Sequence, residues 1–227
     1  IQLLPGVHAA SEGSSGFSVR GGNPDQNLIL LDDVPIYNAS HFMGFFSVFN
    51  NDVVKDATLY KGDIPAIYDS RLSSVLDIKT LDEIPYKFNM QGGIGILTSR
   101  LTLNMPFNKG RSAILIGGRI TYGGVLACTL IKNLRGNSLY FYDFNAKITH
   151  TINDKNRLFV SAYLGDDILG VDSLMTMKYG NKNVTTRWNH IFNDKLSPNL
   201  SVFYSNYRYQ IGVDMQPYDF DITAGIE

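Results

Sequence analysis

Three phrases lie between Phe17 and Thr80: Ser18-Val19-Arg20-Gly21-Gly22, then Leu28-Ile29-Leu30-Leu31-Asp32-Asp33-Val34-Pro35-Ile36-Tyr37, then Leu59-Tyr60-Lys61-Gly62-Asp63-Ile64-Pro65-Ala66 with Ser74-Val75-Leu76-Asp77-Ile78-Lys79-Thr80. Each is a short strand-like run punctuated by Gly or Pro, and their unequal spacing argues against a repeat. Leu28–Leu31 is continuously apolar between polar flanks, as in a strand covered on both faces. Asn23-Pro24-Asp25-Gln26-Asn27 reads as a turn with Pro in its second position. Residues 9–16 are small and polar, a loop. Asp52–Asp56 reads as a short helical turn capped by Asn50 or Asn51. The block is thus expected to be a small α+β unit over residues 1–80, closed by the Leu81-Asp82-Glu83-Ile84-Pro85 linker.

From residue 86 the character changes to a period of two. Tyr142, Phe144, Ala146 and Ile148 alternate with Asp143, Asn145, Lys147 and Thr149. Phe220, Ile222, Ala224 and Ile226 alternate with Asp219, Asp221, Thr223 and Gly225, and Val184, Thr186, Trp188 and Phe192 do so less cleanly. Such a strand has one face toward an apolar medium and one toward water or a polar filling. About eight strands are expected: 86–96, 97–106, 111–121, 139–152, 157–168, 182–192, 198–213 and 219–227. Short polar turns at Asn108–Gly110, Asn153–Asn156 and Asn193–Leu196 contrast with longer connections expected at Tyr122–Ser138, Leu169–Asn181 and Asp214–Tyr218. Short turns at one end and long loops at the other are the layout of an outer-membrane barrel. Gly92-Gly93-Ile94-Gly95 would permit bending or close contact with the first unit.

Composition agrees. Of 227 residues, 18% are charged and 12% aromatic, with 13 Tyr and 13 Phe; the formal charge is −1, so no polyanion partner and no nucleic acid is expected. Tyr140, Phe141, Tyr142, Trp188, Phe203, Tyr204, Tyr207 and Tyr209 read either as an aromatic girdle at a bilayer interface or as ordinary strand aromatics. Cys128 is the only cysteine, which excludes an intrachain disulfide. No apolar run reaches the ~18 residues of a membrane helix, while a barrel strand needs only about 9–11. Ile1-Gln2-Leu3-Leu4-Pro5 is unlike a signal peptide, so the chain reads as mature, truncated or excised at its start. The four histidines are scattered and no metal site or cofactor is expected. Asp32-Asp33 and Asp166-Asp167 read as loop or turn residues. Without a nucleophile elbow, P-loop or dinucleotide fingerprint, no catalytic residues are assigned.

These phrases together resemble the TonB-dependent receptors of the Gram-negative outer membrane. Ser18–Gly22 is similar to the family's Arg-Gly plug motif. Leu30–Ile36 is similar to Leu-Ile-Asp-Gly-Val-Pro, with Asp33 where Gly is usual. Tyr60-Lys61-Gly62, Ile67–Arg71 and Val75–Ile78 resemble Lys-Gly-Pro, Tyr-Gly-Ser-Arg and Gly-Val-Ile-Asn-Ile, with Asp69 in place of Gly. Pro24–Asn27 and Asn38–Phe42 look like the Bacteroidetes branch. The resemblance implies a plug domain (1–80, incomplete at its N-terminus), a linker (81–85) and the first eight or so strands (86–227) of an antiparallel transmembrane β-barrel of 22 strands. It implies import of a scarce nutrient (siderophore, cobalamin, glycan or peptide), or else ligand sensing for signalling or surface assembly. TonB, a small ligand, outer-membrane lipid and a surface lipoprotein are the partners implied. A soluble all-β adhesin or sandwich enzyme is the competing class.

Within that frame, Tyr37, Asn38, His41 and Phe42 are the candidate ligand-binding residues, on an apical loop rich in aromatic, amide and imidazole groups. The other reading has Phe42, Phe45 and Phe46 packing plug against barrel. Arg20 and Arg71 either pair with carboxylates on the barrel wall and gate the plug or hold the plug's own fold; Gly21 and Gly22 read as tight-turn positions.

Overall fold

The computed structural model describes residues 1–11, 14–68, 71–131, 137–171, 175–213 and 216–224. Asp69, Ser70 and residues 225–227, on which some of the expectations above fall, lie outside them, as do the side chains of Phe220, Ile222 and Ala224. The chain forms an N-terminal unit of small sheets seated against one large antiparallel sheet, here called the wall.

The unit's first strands are β1 (Val7–Ala9) and β2 (Phe17–Val19), an antiparallel pair. Its main sheet joins β3 (Asn27–Leu31), β4 (Val34–Pro35), β7 (Val54–Tyr60) and β8 (Ser74–Thr80) in the order β4-β3-β8-β7. Between them lies the small pair β5 (Ser40–His41) and β6 (Phe46–Ser47). β3 runs parallel to β8, and both are covered on both faces, which is why Leu28–Leu31 carries no polar alternation. Leu31, Leu76 and Ile78 pack with Val7, Phe17, Val19, Ile36 and Val48 on one side, while Leu28, Leu30 and Val75 form a second cluster on the other. The β3–β4 connection is a two-residue hairpin: Leu31 pairs with Val34, and Asp32 and Asp33 have φ of 49° and 74°. Both central residues left-handed is the type I′ turn, and Asp tolerates it better than most side chains.

The unit holds less helix than the sequence predicts. Among the described residues its helical content is two 3-10 turns, Pro24–Gln26 and Phe42–Gly44. The expected helical turn at Asp52–Asp56 is instead a turn in which Asn50 Oδ1 accepts from the Asp52 N–H at 3.1 Å, and β7 starts at Val54. Strand pairing of Val54–Tyr60 with β8 outcompetes a five-residue helical turn, which is too short to be stable alone.

The wall comprises β9 (Asn89–Ile94), β10 (Thr98–Phe107), β11 (Ser112–Thr121), β12 (Ser138–Asn153), β13 (Asn156–Val171), β14 (Met175–His190), β15 (Asn199–Val213) and β16 (Gln216–Ala224), each paired with its sequence neighbour. A short helix, α1 (Gly123–Leu130), occupies the expected loop after β11. The other two long connections do not exist. β14 begins at Met175 rather than near 182, leaving three residues between it and β13, and β15 and β16 are two residues apart. Lys178, Gly180 and Asn181 look like loop residues by composition. In this sheet one face of each strand is polar, so polarity alone does not mark a loop.

That face pattern is the wall's main property, and it is inverted relative to a water-soluble sheet. Asp143, Asn145, Lys147, Thr149, Asn181, Asn183, Thr185 and Ser205 are buried against the N-terminal unit, whereas Phe144, Ile148, Ile152, Val184, Leu200, Val202 and Tyr204 are exposed on the far side. The expected aromatic girdle divides along the same period. Trp188 and Tyr204 lie on the outward face, while Phe141 is fully buried beneath the unit and Tyr207 meets Tyr37 in a tilted ring contact. The Gly92–Gly95 cluster is exposed: Gly92 and Gly93 lie on the edge strand β9, where Gly92 passes close to the Arg100 carbonyl of β10, and Gly95 lies just past the strand's end.

Candidate functional site

The seam between unit and wall joins polar anchors to an aromatic patch in which Phe141 meets Phe42 and Phe46 and Tyr163 packs on the unit's core. At its centre, Lys147 reaches from β12 into the β3–β4 hairpin. Its Nζ lies 3.0 Å from Asp32 Oδ1 and donates to Thr80 Oγ1 at 3.0 Å and the Thr80 carbonyl at 3.2 Å. Asp32 also accepts from the Thr80 N–H at 3.0 Å and the Thr80 hydroxyl at 2.5 Å. Burial alone would raise the Asp32 pKa; the Lys147 ammonium and the Thr80 donors outweigh it and hold the carboxyl below its ordinary range. Beside it, Asp33 pairs with Lys79 of its own unit and with Arg187 of β14, whose Nη1 lies 3.2 Å away. Arg187 also faces Asp82 at 3.8 Å and stacks over Phe159 at 4.5 Å. Two backbone carbonyls complete this region: Pro35 accepts from Asn183 Nδ2 and Ser205 Oγ, and Tyr37 accepts from Asn181 Nδ2 at 2.7 Å while its N–H donates to Asn181 Oδ1.

A second cluster surrounds His41, which is 1% exposed. Its Nε2 lies 2.6 Å from Asp143 Oδ1 and its Nδ1 2.5 Å from Asp167 Oδ2, so the ring bridges β12 and β13. The imidazole stacks on Phe141 at 4.0 Å with an interplanar angle of 5°. Asp167 Oδ1 accepts the Phe42 N–H at 2.9 Å. Asp143 accepts from Tyr163 Oη at 2.8 Å and from Arg119 Nε at 2.7 Å, and Arg119 Nη2 donates to the Ser47 carbonyl at 2.6 Å. Burial would lower the His41 pKa; the two carboxylates overcome it and raise the pKa above 6.5. Asn38 and Phe42 hold φ of 48° and 50°, a left-handed backbone that costs non-glycine residues of order 1–3 kcal/mol and persists only when neighbours impose it.

The residues singled out in the sequence therefore separate. His41 and Phe42 are seam residues. Tyr37 and Asn38 line a cavity of about 690 Å³ together with Ile29, Ile36, Phe49 and Arg71, a volume within the range of small-ligand sites. Arg20 and Arg71 are exposed, and among the described residues the ion pairs joining unit and wall involve neither of them. Gly21 has φ of 79°, a turn position, and Gly22 passes so close to Ser73 that an added Cβ would sit 2.4 Å from its Oγ. Sequence reasoning missed Asp143, Asp167, Lys147, Asn181, Arg119 and Arg187. It also read Asp32-Asp33 as turn residues, which they are, without seeing that their carboxylates anchor the wall.

A unit of small sheets seated on the polar face of an open antiparallel wall has the layer order of a section through a plugged barrel. Residues 1–74 match the model of the TonB-dependent Receptor Plug Domain family. The whole fold is similar to that of the alcaligin outer membrane receptor FauA of Bordetella pertussis (11% identity, TM-score 0.71, covering 98% of this chain and 38% of that one). It is also similar to the siderophore receptor PirA of Acinetobacter baumannii (14%, 0.63, 97% and 40%) and the outer membrane transporter YddB of Escherichia coli (12%, 0.65, 94% and 36%). The chain thus spans about two fifths of the length of these solved structures. A search of curated proteins gave no significant match.

Proposed function

We propose that this chain is part of a TonB-dependent outer-membrane receptor of a Gram-negative bacterium, in which residues 1–80 are the plug, 81–85 the linker and 86–227 the first strands of a 22-stranded barrel. The phrases at Pro24–Asn27 and Asn38–Phe42 favour the Bacteroidetes branch. The receptor binds a scarce small nutrient and releases its plug when TonB pulls, without covalent chemistry. The supporting observation is the seam: Lys147, Arg187, Asn181, Asn183 and Ser205 hold the plug through hydrogen bonds and ion pairs that water can replace. An apolar interface would resist separation at about 25 cal/mol per Å² exposed. A polar one exchanges partners at a net ~0.5–1.5 kcal/mol per hydrogen bond. The outward apolar face of β12, β14 and β15 suits lipid, and Tyr37, Asn38 and Arg71 around the 690 Å³ cavity are the candidate ligand contacts.

The test uses the full-length protein with its other cysteines removed and Val53→Cys introduced. Val53 is 1% exposed and packs on Gly117 of the wall. The protein should fractionate with the outer membrane, and a membrane-impermeant maleimide should label Val53→Cys faster in energised cells with TonB than without it. Recovery in the soluble fraction, or labelling indifferent to TonB, would overturn the reading.

A further inference from the structure

The His41 cluster differs in kind from the rest of the seam. Elsewhere the plug supplies fixed acids and carbonyls. Here it supplies an imidazole, and both ring nitrogens face carboxylate oxygens, at 2.6 Å and 2.5 Å. Two hydrogen bonds among three groups need two bridging protons, and a neutral imidazole carries one. The bridge therefore holds one exchangeable proton beyond the neutral ring. Among the described residues, the titratable groups facing it are Arg119 on β11, Asp143 on β12, Tyr163 and Asp167 on β13, and Tyr207 on β15, which feels the Asp167 charge. From the plug, Phe42, Phe46 and Ser47 bring a backbone N–H, a ring and a carbonyl but no titratable group. Arg119 pairs with one carboxylate, Asp143, and among the ion pairs of the described residues His41 is the partner of the other, Asp167. The side chains of Asp143 and Asp167 are 0% and 2% exposed, so no solvent screens an imbalance.

We infer that His41 is a proton-operated latch, holding segment 37–47 of the plug against β12 and β13 while doubly protonated and letting it go when that proton leaves. The inference stands on this chain's own plug–wall contact and needs neither TonB nor a ligand. Its direction follows from linkage. A histidine whose folded pKa is raised holds full stabilisation below its ordinary 6.5. It loses that stabilisation as pH rises toward the raised value, by up to tenfold in the closed-to-open ratio per pH unit for one proton. The left-handed Phe42 backbone, held by the same Asp167, springs free with it.

Hydrogen exchange read by mass spectrometry on the full-length receptor in detergent micelles tests this, following peptides across residues 37–47 from pH 5 to 9.5 with intrinsic exchange rates divided out. The wild type should show constant protection to about pH 6.5, then a fall of up to tenfold per unit, then a plateau. Asp167→Asn should be protected and flat. Its amide oxygen still accepts from the Phe42 N–H, and its NH₂ donates to the unprotonated ring nitrogen, so no extra proton is needed. His41→Gln should sit near the alkaline plateau at every pH. Flat protection in the wild type, a persisting step in His41→Gln, or a wild-type-like step in Asp167→Asn each overturn the latch. If His41→Gln does not assemble, the wild-type profile and Asp167→Asn decide.

Discussion

Replacing Lys147 by Met should loosen the plug by about 3 kcal/mol, and replacing Asp32 by Asn in the same protein should restore most of the loss. Lys147 and Asp32 are 3% and 6% exposed at the side chain, and Nζ–Oδ1 is 3.0 Å. Methionine matches the lysine stem in volume but brings no charge, so Asp32 is left as a buried anion, at a cost of ~3–5 kcal/mol for breaking such a pair. Thr80 still donates twice to Asp32, which puts the expectation at the lower end. With Asp32→Asn added, the amide oxygen keeps the Thr80 N–H and its NH₂ faces the Thr80 hydroxyl, leaving no buried charge. The double variant should then fall within ~1 kcal/mol of wild type. Pulse proteolysis of full-length receptor in micelles across a urea series measures this, with cleavage inside 17–80 reporting the plug. A loss of ~3 kcal/mol corresponds to a rise in the open fraction of about a hundredfold. If Lys147→Met costs under ~1 kcal/mol, or the double variant costs the sum of the singles, the pair is not the anchor the geometry describes.

Gly117→Ala on β11 should cost about 1–3 kcal/mol in plug seating, because the new Cβ would lie 2.3 Å from Val53 Cγ1. Val53→Ala in the same chain should recover much of it, both read by pulse proteolysis. Acid should free the plug through Asp32: its lowered pKa means that its stabilisation is complete above the ordinary 3.8 and is lost as pH falls through the lowered value. Plug cleavage by an acid protease should therefore rise between pH 4 and 2, and Asp32→Asn should blunt the rise. On the outward face, Ile148→Lys should lower barrel assembly in the outer membrane by an equivalent of ~2–4 kcal/mol, as a cation facing mid-bilayer does. Ile148 is 44% exposed, and normal assembly of that variant would argue against lipid on this face.

Much of the fold is legible in the sequence because its two halves use different periods. Leu28–Leu31 is a run because both faces of β3 are covered, and Tyr142–Thr149 alternates because β12 separates an apolar face from a polar one. What misleads is the meaning of polarity. In β14, Lys178–Asn181 looks like the end of a loop, yet it is strand, and Asn181, like Asn183 in the expected strand beyond it, clamps a plug carbonyl with its amide. The site was legible only on one side. His41 stands out in its segment, but its partners lie 102 and 126 residues away, and nothing local distinguishes Asp143 or Asp167 from other inward polar residues. Arg20 attracts notice as a charge beside glycines, and Arg71 as the charge that closes Tyr68-Asp69-Ser70-Arg71. The wall is instead reached by Asp32 and Asp33, whose left-handed hairpin points two carboxylates at Lys147 and Arg187.

The spacing of the anchors bears on how such a plug lets go. Asp143 and Lys147 are four residues apart on β12, about 13 Å at ~3.3 Å per residue, and their clusters share no partner in the plug: one holds His41 and Phe42, the other Asp32 and Thr80. Sites separated by more than ~7–10 Å without shared partners lose stability additively to within about 0.5 kcal/mol. Combining His41→Gln with Lys147→Met should therefore cost the sum of the two singles in the urea series, even though Asp32→Asn with Lys147→Met does not. Additivity would mean that each anchor contributes its own few kcal/mol to holding the plug, independently of the other. A double variant no worse than the more damaging single would mean that losing one anchor already removes the other's contribution, so that the two clusters are coupled through the plug rather than independent.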